Sequence, residues 1–410
     1  MNRFTPLAVC ASVSVLAISA FADGPQAVEQ QQLRVISGIE ARNSLGSIAD
    51  FGGNRARGKS LPLWSYSTVA TQNGTSYTGM IVGSQPPASA TVPTVLIPVI
   101  INITFTNRQA GTTTTYSFDP TQPDVGCLGA ANTGFGLMQA SPLFNNATFS
   151  FNGKSIGPTQ YADAFLRGEF FGASANTASP LLTLSTTVGA PLTISINAGS
   201  SGNNTADVFT LKGTQCGTPT NLVNPGGMLA VVNINTIDSD LQNYIKANNL
   251  NATQFPFFVT YNAVMSVGAA TNTRNCCVLG YHNAEGSPGQ TYGIAEFEGR
   301  DQTAFTGVAD VSGASHEVNE WANDPTGTNP TPAWGGIGQV SGCQSNFEVG
   351  DPLSGTLMPT VTLNGFTYHL QELAYFGWFY GATGGGYGGA YSNNGTFKGA
   401  AKLCPPGGTN

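Results

Sequence analysis

The stretch VPTVLIPVIINITF, residues 92 to 105, constrains the fold more than any other part of the chain. It is rich in β-branched residues, begins as a continuous apolar run and ends in alternation, the pattern of a strand buried in a sheet. TTTTYSFDP (112 to 120) reads as its partner, and LLTLSTTV and APLTISINA (181 to 198) read as two further strands. TQYADAFLRGEFF (159 to 171) has helical spacing, with Tyr161, Ala164, Phe165 and Leu166 on one side for core packing. A stretch of Gly, Asn, Thr and Pro from 199 to 226 follows and reads as a domain boundary.

The second half has a different rhythm. MLAVVNI (228 to 234) is a strand, and DSDLQNYIKANNL (238 to 250) is a helix capped by Asp or Ser. Three strands follow: FPFFVTYNAV (255 to 264), CCVLGYHNA (276 to 284) and TYGIAEFEG (291 to 299). The expected division is a signal peptide over 1–22, a loosely structured lead-in over 23–90, a β-rich domain over 91–224 and a second domain over 225–410. The glycine-rich 381–391 reads as a flexible surface loop.

The N-terminus sets the compartment. An apolar stretch from Pro6 to Phe21 follows Arg3 and closes on Ala20-Phe21-Ala22, a small-x-small pattern for cleavage before Asp23. Cys10 is lost with it, and no later stretch has the length and apolarity of a membrane span. A secreted, extracellular protein is expected. Six cysteines remain, Cys127, Cys216, Cys276, Cys277, Cys343 and Cys404, and in an oxidising compartment an even number points to disulfides. A bond between neighbours strains the peptide joining them. The expectation is therefore Cys276 and Cys277 in separate bridges, with Cys343 and Cys404 as partners, and Cys127 with Cys216.

Only 9% of residues are charged, against about 25% in ordinary soluble proteins. Few lysines leave few tryptic sites, which suits an extracellular life. A net charge of −7 without a basic run gives no electrostatic case for nucleic acid or an anionic membrane.

Against that charge-poor background, GASHEVNEWANDP (313 to 325) concentrates a histidine and two glutamates. On a helix His316 and Glu320, four positions apart, lie about 40° apart and can converge on one cation. Val311, Ala314, Val318 and Trp321 fall at about 220°, 160°, 200° and 140° from His316, so an apolar stripe would face the core while His316 and Glu320 face a cleft. Glu317, about 100° round from His316, would flank the ion as general base. Asp324-Pro325 ends the helix. A tetrahedral site with an open position needs a third protein ligand. NFEVGDP (346 to 352) offers Glu348 first and Asp351 second, whereas Asp324 is about 12 Å further along the axis. His282 would stand at the cleft edge and hydrogen-bond a developing oxyanion. Tyr281 and Tyr375 are weaker candidates for the same task, and His369 sits in an aromatic run that reads as core.

SHEVNEWANDP followed by FEVGD resembles the secreted proteins of the exordium, or phosphate-induced, type and their bacterial relatives, which pair an HExxE helix with a downstream E-[IV]-G-D. An alternating strand before a metal helix also resembles the edge-strand and active-site-helix order of zincin metallopeptidases. The likeness spans residues 276–351. It implies a zincin-like secreted domain, and the expected chain is α+β, a β-rich N-terminal part followed by a zincin-like mixed sheet with an active-site helix. The likeness brings no established reaction; the site itself sets the expectation of a zinc-dependent peptidase-like hydrolase acting on extracellular peptide or protein. Glu320 stands where zincins have histidine, and two carboxylate ligands weaken the cation as a Lewis acid and make calcium competitive. The alternatives are a wall-associated protein with a structural cation and, from composition alone, an all-β acid peptidase.

Overall fold

The computed structural model describes residues 24–28, 33–36, 60–107, 110–171, 180–198, 205–211, 221–286, 289–299, 305–381 and 386–405. The expected signal peptide, Cys10 and Cys216 lie outside them. The fold is mixed α+β and dominated by strands.

The apolar stretch is a single strand, Thr91–Asn107, and it is the spine of a seven-stranded sheet. Its first half is buried almost throughout because it has neighbours on both edges. Thr183–Val188 runs parallel on one side, and Phe255–Tyr261 runs parallel on the other. Its second half pairs with Thr112–Phe118, antiparallel, and with Leu192–Asn197, parallel. Beyond Phe255–Tyr261 come Gln290–Phe297, parallel, and then Gly280–Glu285, antiparallel, as the last strand of the sheet. A second sheet of five strands orders Gln26–Val28, Ala206–Leu211, Met228–Asn233, Ala263–Ser266 and Cys276–Val278.

The boundary expected near residue 225 does not divide these sheets. Phe257 and Phe258 are in register with Leu96 and Ile97, so strands from both expected domains share one sheet and one core. A strand as apolar as 91–107 needs cover on both edges and both faces, and the second half of the chain supplies much of it. The lead-in is corrected in the same way from residue 60 onward. Leu63–Val69 and Ser76–Val82 form a hairpin whose Tyr66 and Ile81 are buried in the core, and the Tyr66 hydroxyl meets that of Tyr380 at 2.7 Å.

The element reading holds elsewhere at the level of type, except that the strands expected over 255–264 and 276–284 are each broken in two, one piece in each sheet. Tyr161–Leu166 is α-helical and continues as a π turn through Phe171. The helix expected from 238 starts earlier, at Ile234, and its cap is Asn233, whose side chain accepts from Asn235 N–H. No helix among the described residues is long and apolar enough to cross a membrane.

The cysteine expectation needs a correction. Cys276 and Cys277 are bonded to each other, and Cys343 is bonded to Cys404. Both neighbours are wholly buried in an apolar cluster with Val28, Leu33, Phe209 and Leu279 that holds no other cysteine among the described residues. Cys343 lies on a separate hairpin, Pro330–Ile337 with Val340–Asn346, which Cys404 reaches from the C-terminal segment. Cys127 is disulfide-bonded too.

The helix Ser312–Asn323 lies on the seven-stranded sheet, against Gly280–Glu285 and Gln290–Phe297. Its expected stripe does face the core: Val311, Ala314, Val318 and Trp321 are completely buried. Trp321 stacks on Phe255 with ring centroids 3.7 Å apart, and its indole N–H donates to Thr291 Oγ1 at 3.0 Å. These contacts fix the rotation of the helix and so the direction of His316. Asp324 closes the helix, and its carboxylate accepts from Thr328 N–H and Asn329 N–H at 2.8 and 2.9 Å.

Candidate metal centre

Three segments meet beneath the helix: the helix itself, the strand carrying His282, and the turn 348–351 that follows Val340–Asn346. His316 is 5% exposed, Glu317 is 4%, and His282, Glu320, Glu348 and Asp351 are 0%. These six, the foremost candidates of the sequence, lie in one buried cluster. Four carboxylates against two imidazoles leave it negative even with both rings protonated. Excess charge of one sign is costly to bury unless a counter-ion joins it.

His316 is held for ligation. Its Nδ1 lies 3.1 Å from Gln371 Oε1, while Gln371 Nε2 donates to Gly350 O at 2.8 Å. That pairing fixes the amide orientation, so Nδ1–H donates to the amide oxygen and Nε2 points inward. Nε2 faces Glu320 Oε1 at 3.1 Å and Asp351 Oδ1 at 3.6 Å. It makes no hydrogen bond among the described residues. An outer acceptor fixing the ring while the inner nitrogen faces carboxylates is the arrangement of a metal-binding histidine.

Glu320 is held from the opposite side. Gly350 N–H and Asp351 N–H donate to its Oε1 at 3.1 and 3.2 Å. Gly350 is required because a β-carbon there would stand 2.5 Å from His316 Nδ1. Asp351 is steadied by the Gln339 and Gln344 side-chain amides. Glu348 is turned towards His282, Nε2 to Oε2 4.0 Å, and accepts from Asn346 Nδ2 at 2.6 Å. The structure thus brings Asp351, the second choice of the sequence reading, to His316, while Glu348, the first, stands beside His282.

His282 occupies the middle of the cluster instead of the cleft edge. Its Nε2 meets Asp324 O at 3.0 Å and its Nδ1 faces Glu317 Oε2 at 3.4 Å. Gly280, on the same face of that strand, lets Glu317 pass, since a β-carbon there would meet Glu317 Cγ at 2.7 Å. Tyr281 points the other way and donates to Asp238 Oδ1. Tyr375 packs against Gly168 and Gly386, and His369 pairs with Asp310 with its side chain 22% exposed. None of these three belongs to the cluster, and His369 is not the core residue expected.

Without a cation the electrostatics polarise the pair. Burial alone would raise the Glu320 carboxyl, but the His316 charge and contact outweigh it and hold it down to about 2. Burial would lower His316, and Glu320 and Asp351 together hold it well above its ordinary value. Burial raises Glu317, partly offset by His282 and His316.

His316 and Glu317 open onto a cleft of about 240 Å³ walled by Val35, Ile36, Leu279, Val308 and Gln371 among others. None of its lining residues is lysine or arginine. Sequence reasoning missed Gln371 and the two N-terminal wall residues, for which no motif gives a signal. No protein-family model, curated protein or solved structure matches the chain.

Proposed function

We propose that the chain is a secreted zinc-dependent hydrolase of peptidase type, with His316, Glu320 and Asp351 holding the cation and Glu317 moving the proton. The observation that carries the reading is His316. Gln371 fixes its ring, its buried Nε2 has no hydrogen-bond partner among the described residues, and two carboxylate oxygens stand at ligand spacing beside it. Tetrahedral zinc with bonds of 2.0–2.1 Å separates its ligand atoms by about 3.3 Å, and the two distances from Nε2 here are 3.1 and 3.6 Å. One imidazole nitrogen favours zinc over calcium, which takes oxygen ligands.

The bound cation supplies Lewis acidity to a substrate carbonyl. Glu317, on the cleft wall one position from His316, accepts a proton from the attacking water and returns it to the leaving amine. The cleft has no lysine or arginine to favour a phosphate ester or an anionic sugar, and an uncharged amide in a peptide suits it best. The disulfides agree with an extracellular location. The likeness to exordium-type proteins and zincins supports the same assignment. A second reading, a structural cation in a wall-associated protein, draws on the complete burial of Glu320 and Asp351.

Hydrolysis of casein and a peptide library by wild type, Glu317→Gln and Glu320→Ala separates the two. Glu317→Gln should keep the His316 cation and lose 10²–10⁴-fold in turnover. Glu320→Ala should lose the cation and with it thermal stability. A wild type that holds its metal and cleaves nothing between pH 3 and 8 leaves the structural reading.

A further inference from the structure

The carboxylate of Glu320 faces two ways. Oε1 faces His316 and Asp351, while Oε2 faces His282 Nδ1 at 3.9 Å. His282 Nδ1 is also 3.4 Å from Glu317 Oε2, and these three side chains bring one ligand atom each within 4.8 Å of one another. We propose that a second divalent cation of the zinc type binds between His282, Glu317 and Glu320, sharing the Glu320 carboxylate with the cation at His316.

The tautomer of His282 is the first support. Its Nε2 lies 3.0 Å from a backbone carbonyl, that of Asp324, which can only accept. Nε2 therefore carries a hydrogen, and Nδ1 is the ring atom turned to the two carboxylates. A lone pair facing anions is repulsive until a proton or a cation stands between them. The second support is Glu320 Oε2 itself, which is buried and receives no backbone or amide N–H although Oε1 accepts two, and whose carboxylate has a second carboxyl, that of Glu348, as its neighbour. An anionic oxygen left so in the interior is costly, and a cation at this position removes the cost. The third is charge: one dication at His316 leaves the six-residue cluster negative, at −2, or −1 with His282 protonated, and a second brings it to neutrality.

The two positions differ. The His316 position opens onto the cleft, whereas His282 and Glu320 are wholly buried behind it. The second cation also enters beside the charge of the first, so it binds more weakly. It uses Glu317, whose carboxylate cannot then accept a proton from water. Zinc beyond the first equivalent should therefore slow the hydrolysis proposed above. That consequence alone rests on the hydrolase reading.

The test is zinc uptake by metal-stripped full-length protein, followed by equilibrium dialysis with elemental analysis. Wild type should take two zinc ions in steps at least tenfold apart. His282→Asn should take only the tighter one, Asp351→Asn should lose the tighter step, and Glu320→Ala should lose both. Unaltered protein loaded with two equivalents of Mn(II) should show an exchange-coupled paramagnetic resonance spectrum, because one carboxylate joins the ions; this arm needs no variant to fold. Saturation of wild type at one zinc, a second step that survives in folded His282→Asn, or two uncoupled Mn(II) signals would each overturn the proposal. Two-step uptake by a protein that hydrolyses nothing keeps the second site and removes only the hydrolase reading.

Discussion

Gly350→Ala tests the His316 assignment through a contact that can be worked out in advance. Gly350 has φ −86° and ψ −36°, an ordinary right-handed conformation that alanine adopts freely. The backbone therefore gives no reason for glycine here, and alanine should add about 0.4–1 kcal/mol by restricting the unfolded chain. The new β-carbon, however, stands 2.5 Å from His316 Nδ1 and 2.6 Å from Cγ. Relief to an ordinary contact of about 3.5 Å requires the ring to retreat by about 1 Å, away from Gln371 Oε1 and out of line with Glu320 and Asp351. Overpacking costs about 1–3 kcal/mol, so a net loss of about 1–2 kcal/mol is expected in the metal-free protein. A displaced ligand should weaken zinc about 10–100-fold, the usual effect of disturbing the groups that orient a ligand. That is about 1.4–2.8 kcal/mol more lost when zinc is present. Competition with a chromogenic chelator gives the affinity, and thermal melts with and without zinc give the stability. Gly313→Ala is the control. It lies in the same helix beside the same cleft, its β-carbon would meet only Leu279 Cβ at 3.8 Å, and it should stabilise by about 0.5–1 kcal/mol without weakening zinc. If Gly350→Ala binds zinc as wild type does, the placement of His316 against the 348–351 turn is wrong.

Two further predictions concern the frame. Trp321→Ala removes the stack on Phe255 and the bond to Thr291 and should cost about 3–5 kcal/mol in urea unfolding; a loss under 1 kcal/mol would refute the packing of the helix on the sheet. Burial raises the Asp207 carboxyl from 3.8 to about 6, with the Val208 N–H and Gln26 amide opposing. Between about pH 4 and 6 the unfolded chain has released this proton and the folded one has not, so stability falls as pH rises through that window. The fall should be about 2 kcal/mol, allowing for partial solvent access, and should be absent in Asp207→Asn by pH-resolved melts; an unchanged slope would contradict it.

Much of this was legible in the sequence because it depends on period. Strands such as 91–107 and 255–261 and the orientation of the 312–323 helix follow from which residues must be buried. Which strands pair does not follow, since parallel neighbours such as Phe258 and Ile97 come from distant parts of the chain. For that reason a polar stretch near 225 looked like a boundary. In the site, His316 and Glu320 are fixed by helical spacing. The choice between Glu348 and Asp351 depends on the turn geometry of Gly350, which spacing does not encode. Gln371 is one glutamine among aromatic residues, and only the fold brings it to His316. Strain argues against a Cys276–Cys277 bond, whereas the cluster that buries them offers no other sulfur among the described residues.

The central claim is that His316 Nε2, Glu320 and Asp351 hold a cation, and diffraction from crystals of protein purified without added metal, recorded above and below the zinc edge, tests it most directly. The account predicts one anomalous peak bounded by those three side chains that vanishes below the edge. A fully ordered cluster with no peak there, and His316 Nε2 hydrogen-bonded to water in its place, would contradict it.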